Sequence, residues 1–151
     1  MDTKTDLENL QKIIDAIKGI IKSCLNEIIN KPEMSNFFGE IFKDLWPFIL
    51  KDLEFYYDNE DMIESICQLV KYFMRGMRNN FYENYMKVYM EKIVSGYQLK
   101  PISSYIYTFE VIVDAYHNDS KCQNMLMQTF EIFCKLTFSY LPTLSNYCSV
   151  I

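Results

Sequence analysis

DMIESICQLVKYFMRGMR, residues Asp61–Arg78, is the stretch from which the rest of the chain can be read. Ile63, Ile66, Cys67, Val70, Phe73, Met74 and Met77 recur at steps of three and four, which places them on one face of an α-helix over about 61–78. Asp58-Asn59-Glu60-Asp61 ends the preceding run and caps this one, and Asn79-Asn80 punctuates its far end. The pattern then returns. A second run over about 101–117, its helix opening at Ser103, 42 residues after Asp61, carries Ile102, Tyr105, Ile106, Phe109, Ile112, Val113 and Tyr116. Its β-branched string IYTFEVIV has the composition of a strand, but helical neighbours on both sides favour a helix over about 101–117.

Working outward, the same spacing covers the whole chain. Leu7, Leu10, Ile13, Ile14, Ile17, Ile21, Cys24, Leu25 and Ile28 form a stripe over about 6–30, opened by Thr5-x-x-Glu8 as a capping box and closed by Lys31-Pro32. A second helix runs from Ser35 to Tyr57, with Pro47 inside it as an expected kink. A fourth covers about 82–98 and a sixth about 120–141, the latter stopping before Pro142, with TLSNYCSVI able to start a further element. Turns of a few residues make successive helices antiparallel neighbours. Two helices repeated at about 40 to 47 residues is the HEAT/armadillo period, so the expected fold is all-α: a HEAT-repeat solenoid segment of about six antiparallel helices filling residues 1–151 as one unit. A globular helical bundle is the competing arrangement. Residues 61–78 and 101–117 should lie adjacent and parallel, with Trp46 buried between helices two and three.

Composition agrees and narrows the function. The 151 residues are 50% apolar by a count that includes Tyr and Cys, 16% aromatic and 23% charged, which excludes disorder. Four Gly and four Pro are too few for a many-stranded sheet protein. A net charge of −5 argues against a general nucleic-acid binder. The five cysteines (Cys24, Cys67, Cys122, Cys134, Cys148) are scattered, and one His gives no zinc ligand cluster, so buried reduced thiols are expected and no metal or cofactor. The first residues, MDTKTDLENLQK, lack the apolar core of a signal peptide, and no apolar run is long enough to span a membrane. Cytoplasm or nucleus is the expected location.

Catalytic constellations are weak. His117 beside Asp114 and Asp119 has the residues of a general base but no nucleophile with a motif around it, and reads as a turn histidine. Asp58–Asp61 lacks the central Gly and the twelfth-position Glu of a calcium loop. Gly19, Gly39, Gly76 and Gly96 are isolated, so there is no phosphate-cradling loop. Lys71, Arg75 and Arg78, four and three apart, form a basic ridge on helix three. A binding protein is expected, not an enzyme.

Two strings carry a family resemblance. EIFKDLWPFILKDL (Glu40–Leu53), a helix with Trp-Pro at its middle, and FEVIVDAYHND (Phe109–Asp119), with Val113-Asp114-Ala115-Tyr116, fall in register on the repeat. Over about Phe38 to Leu141 this resembles C-terminal HEAT repeats of importin-β-type nuclear transport receptors (karyopherins), of the transportin-3 and importin-13 branch. The resemblance implies a piece of a longer receptor that shuttles between cytoplasm and nucleus. It implies protein cargo, Arg-Ser-rich or basic, held on a concave helical face, and the GTPase Ran bound through other repeats of the parent chain.

The apolar residues Leu144, Tyr147, Val150 and Ile151 fit such a piece, since a natural terminal repeat would carry a polar outer face. The arginine-rich cargo helix of the family corresponds to 61–78, where Lys71 and Arg75 keep the basic character and Arg78 adds to it. Asp61, Ser65 and Gln68 stand where that helix has arginine, which counts against Arg-Ser recognition. On the next inner helix Tyr107, Glu110 and Asp114 form an acidic strip suited to basic cargo. The alternative is a HEAT or armadillo interaction scaffold unrelated to transport; a small helical enzyme is a third reading.

Overall fold

The computed structural model describes residues 3–29 and 31–148, with six helices and no strand among them. They are α1 (Thr3–Ile29), α2 (Pro32–Phe55), α3 (Glu60–Met77), α4 (79–99), α5 (Ser103–Tyr116) and α6 (Ser120–Cys148). Each start has a local cause. Pro32 takes the first turn of α2, where its missing N–H costs nothing, so α2 opens three residues before the expected Ser35. Asn59 caps α3, its Oδ1 accepting from the Met62 N–H at 3.0 Å. Thr5 falls inside α1 and not at its cap.

The helices form two layers. α1, α3 and α5 lie side by side in one; α2, α4 and α6 in the other. Partner spacing shows that neighbours within a layer are parallel. Asp15 and Lys18 on α1 meet Ser65 and Gln68 on α3, both 50 residues on. Lys71 on α3 meets Tyr107 on α5, 36 residues on, and Tyr116 reaches back to Arg78 across 38. In the other layer Glu54 on α2 pairs with Lys92 on α4, and Tyr97 on α4 meets Thr137 on α6, 40 residues on. Across layers the chain reverses: Ser35, near the start of α2, donates to the carbonyl of Gly76 near the end of α3. This is a stack of antiparallel helix pairs, with 61–78 and 101–117 adjacent and parallel as the period required.

Aromatic side chains tie the layers together. Phe42 sits 4.8 Å from Phe73 and 4.9 Å from Tyr85, ring centroid to centroid. Trp46 is only half-buried and packs 5.2 Å from Tyr85 and 6.2 Å from Tyr89, so its pocket lies between α2 and α4 and not between helices two and three. The α2–α4 seam runs along the side of α2 that carries Gly39 and Trp46, which turns the indole away from α3.

Two further expectations need correction. α6 does not stop before Pro142 but runs through it to Cys148, taking in most of the residues expected to be able to start a further element, while α2 runs through Pro47 as expected. The carbonyls four residues earlier, on Lys43 and Phe138, belong to exposed residues, where water can take the lost bond. The break after α3 falls at Arg78, whose φ of 47° is the one positive non-glycine value among the described residues, and not at Asn79-Asn80. Within α4 a π-helical turn, Tyr82–Met86, joins Asn79–Phe81 to Lys87–Leu99. The side chains of Leu144 and Tyr147, and Val150 and Ile151 entirely, lie outside the described residues.

Candidate functional site

The parallel α3–α5 pairing decides which of the charged residues meet. Lys71 is drawn partly into the seam: its Nζ donates to the Tyr107 hydroxyl at 3.1 Å and stands 5.4 Å from the centroids of both the Tyr72 and Tyr107 rings. The ammonium is thus clasped by two aromatic faces, an attractive arrangement for a cation. One turn on, Arg75 is exposed, and Arg78 is exposed at the end of α3. Arg75, Arg78 and Asn79 form one wall of an open groove of about 790 Å³. Asp114, Ala115, Asn118, Asp119 and Ser120, from the end of α5 and the start of α6, form the other. Glu110 is exposed on α5 between Tyr107 and Asp114 but is not part of the groove wall. Among the described residues none of Arg75, Arg78, Glu110 and Asp114 is in an ion pair.

Five of the six residues singled out from sequence therefore line this groove or the latch beside it, and Glu110 flanks them. The spacing missed Asn79, Asn118, Asp119 and Ser120, which reach the groove only because two helix ends converge. Asp119 caps α6, accepting from the Lys121 N–H at 2.9 Å, and the turn-like string His117-Asn118-Asp119 was the only signal for it. His117 is a turn residue: its Nδ1 lies 3.2 Å from the carbonyl oxygens of Val113 and Asp114, so the ring is held by backbone and not by a carboxylate.

The first half of α3 serves a different purpose. Ser65 is buried and donates to Asp15 at 3.2 Å, while Gln68 accepts from Lys18 at 3.0 Å and donates to Glu64 at 2.8 Å. These two positions hold α1 against α3 and are not presented as a free cationic surface.

Below the Lys71–Tyr107 latch lies a cavity of about 10 Å³ bordered by Cys67, Val70, Tyr89 and Thr108. Tyr89 Oη and Thr108 Oγ1 are fully buried there without a hydrogen bond of standard geometry, although Cys67 lies beside both. Burial pushes the Cys67 thiol up to about 11, with the two hydroxyls pulling the other way. A thiol so held stays protonated and unreactive near neutral pH. Cys67 and Cys122 are buried as expected, whereas Cys24 and Cys134 are half-buried, and the Cys148 side chain lies outside the described residues.

Residues 38–141 match the family model described as the transportin-3/importin-13 fourth TPR domain. No curated protein and no solved structure matches the chain. The model's description speaks of TPR units where the spacing reads as HEAT; both are stacks of antiparallel helix pairs. The observed steps between partner residues on equivalent helices run from 36 to 50 residues, all above the ~34-residue TPR period.

Proposed function

The chain belongs to the transportin-3/importin-13 family of nuclear transport receptors, and from that membership we propose that it is a cargo-holding stretch that works by binding and not by catalysis. The observation that carries this reading is the groove between the ends of α3 and α5. It is open, it is lined by arginines on one side and aspartates on the other, and among the described residues neither arginine is in an ion pair. An extended peptide with charged side chains is the ligand that such a groove suits. Arg75 and Arg78 would take acidic or phosphorylated side chains, since a planar guanidinium binds carboxylate and phosphate through two parallel hydrogen bonds. Asp114, with Glu110 beside it, would take basic ones. Cargo with both kinds of side chain, such as a serine-phosphorylated Arg-Ser segment, would use the two walls together. In a full receptor Ran would bind through other repeats, and the molecule would move between cytoplasm and nucleus with its load.

Backbone strain at Arg78 supports the same reading. An arginine at φ 47° and ψ −110° is kept in a conformation that glycine would adopt freely, and such outliers concentrate where a side chain is needed. The test is a fluorescence titration of the chain with two labelled peptides, one phosphorylated and acidic, one rich in lysine and arginine, at low and high salt. Lys71→Glu with Arg75→Glu should weaken the acidic peptide at least about tenfold, or about 1.4 kcal/mol. Asp114→Lys should do the same to the basic one. Both effects should shrink as salt shortens the screening length from about 10 Å toward 3 Å. Unchanged affinities at both salts would move the cargo site off this groove.

A further inference from the structure

Lys71 is the member of the basic ridge that the groove leaves out. Arg75 and Arg78 are exposed along the groove wall, whereas Lys71 is half-buried. Its ammonium stands 5.4 Å from the centroids of the Tyr72 and Tyr107 rings, donates to the Tyr107 hydroxyl, and among the described residues is in no ion pair. Carboxylates are nonetheless arranged around it. Glu64 lies seven residues before Lys71 on α3, two helical turns along the same side, and Glu110 and Asp114 lie three and seven after Tyr107 on α5. All three are exposed and, among the described residues, none is in an ion pair; Glu64 accepts only from Gln68, at 2.8 Å. Beneath the clasp, Val70, Met74 and Val111 are buried and form an apolar floor, where a cation over a ring is held more firmly than in open water. Two rings, a phenol oxygen and an acidic rim are the parts of a cation site, and the protein's own lysine sits in its middle without using the rim.

Exchange of Lys71 for an arginine of the ligand is favoured on three counts. A guanidinium is planar and stacks flat on a ring face, which an ammonium cannot do. Its five donors let it keep the rings and bond a rim carboxylate as well. A freed Lys71 regains water and the rotamer freedom that the clasp removes, and joins Arg75 on the basic wall. Against exchange stands the tether, which keeps Lys71 always at hand. The clasp is therefore closed to a lone weak cation and opened by a peptide whose other charges already lie in the groove.

We propose that Tyr72 and Tyr107 form a seat for an arginine side chain of the ligand, and that Lys71 fills this seat as an internal competitor, so that the free chain is self-inhibited toward basic peptides. The peptide as ligand rests on the groove reading above; the seat itself rests on the clasp.

Titration with a labelled arginine-rich peptide tests the competition. Lys71→Met removes the competitor and keeps the length of its stem, and should tighten the peptide at least about tenfold. Arg75→Met removes the same charge one turn on, outside the clasp, and should tighten it about threefold or less. At about 1 M salt, with screening over about 3 Å, the Arg75→Met gain should vanish and the Lys71→Met gain should persist. Adding Tyr72→Leu or Tyr107→Leu to Lys71→Met should cancel the gain. Circular dichroism checks folding, and Tyr107→Ser, at a position 46% exposed, replaces a leucine variant that fails to fold. Equal gains from Lys71→Met and Arg75→Met at both salts would mean charge repulsion alone and overturn the proposal, as would a gain that survives loss of the rings. Butylguanidinium separates the seat from the groove. In the Lys71→Met chain it should shift the ring-proton resonances of both Tyr72 and Tyr107. Shifts at both rings with no peptide binding would keep the seat and remove the groove reading; shifts at neither would overturn the seat.

Discussion

Arg78 shows how much one residue can be asked to do. Its N–H donates to the Met74 carbonyl at 2.9 Å and its own carbonyl accepts from the Tyr116 hydroxyl at 2.8 Å, so the backbone is pinned from both sides in a conformation an L-residue resists. Holding it there costs of order 1–3 kcal/mol, and glycine would relieve that while giving up roughly 0.5–1 kcal/mol of unfolded-chain entropy. Arg78→Gly should therefore stabilise the fold by about 1 kcal/mol in urea melts while weakening acidic-peptide binding. A stability loss of that size would show that the side chain is structural. Trp46 behaves oppositely. Being half-buried against Tyr85 and Tyr89, it should cost about 3 kcal/mol as Trp46→Ala, the low end of the range for a large aromatic. The charged residues of the groove were legible from sequence because Lys71, Arg75 and Arg78 share a helix face. That Lys71 would be clasped by Tyr107 was not, since it depends on how far α5 slides along α3.

At the scale of the helix, period and caps were legible and interruptions were not. The three-and-four spacing placed all six helices, and Asn59 capped α3 where its sequence context said it would. Proline misled at position 142 because its penalty depends on which carbonyl it leaves unpaired, and Phe138, which carries that carbonyl, is an exposed residue. The strained turn at Arg78 and the π-helical turn at Tyr82–Met86 have no composition signal. Gly96 marks the closest approach. A Cβ there would stand 2.5 Å from the Tyr105 ring and hydroxyl, and Tyr105 is itself held by donating to the Tyr57 carbonyl at 3.0 Å. Alanine normally gains about 1 kcal/mol over glycine inside a helix, but here the clash should win. Gly96→Ala is expected to lose about 1–3 kcal/mol in thermal or urea melts, and a stabilised variant would show that α4 and α5 can part freely.

For the whole molecule, the seam where α3, α4 and α5 meet sets the response to alkali. Cys67, Tyr89, Tyr105 and Tyr116 all lie along it, and burial, the leading cause in each case, pushes each one above its ordinary range. Two of the hydroxyls are also donors across the stack, Tyr105 to Tyr57 and Tyr116 to Arg78, so their ionisation would remove those bonds. The sign follows from proton binding. A thiol that titrates near 9 when unfolded and about 11 when folded keeps its proton longer in the native chain. Between those values the native state holds more protons than the unfolded one, and stability must fall as pH rises. The contribution of Cys67 is fully present below about pH 9 and lost by about pH 11, on the order of 3 kcal/mol. The tyrosines continue the decline above it. Urea melts at steps from neutral to strongly alkaline pH should show the midpoint falling, with a shallower slope between pH 9 and 11 for Cys67→Ala. A flat profile for the native chain would mean that water reaches this seam and that the layers are less closely joined than their packing indicates.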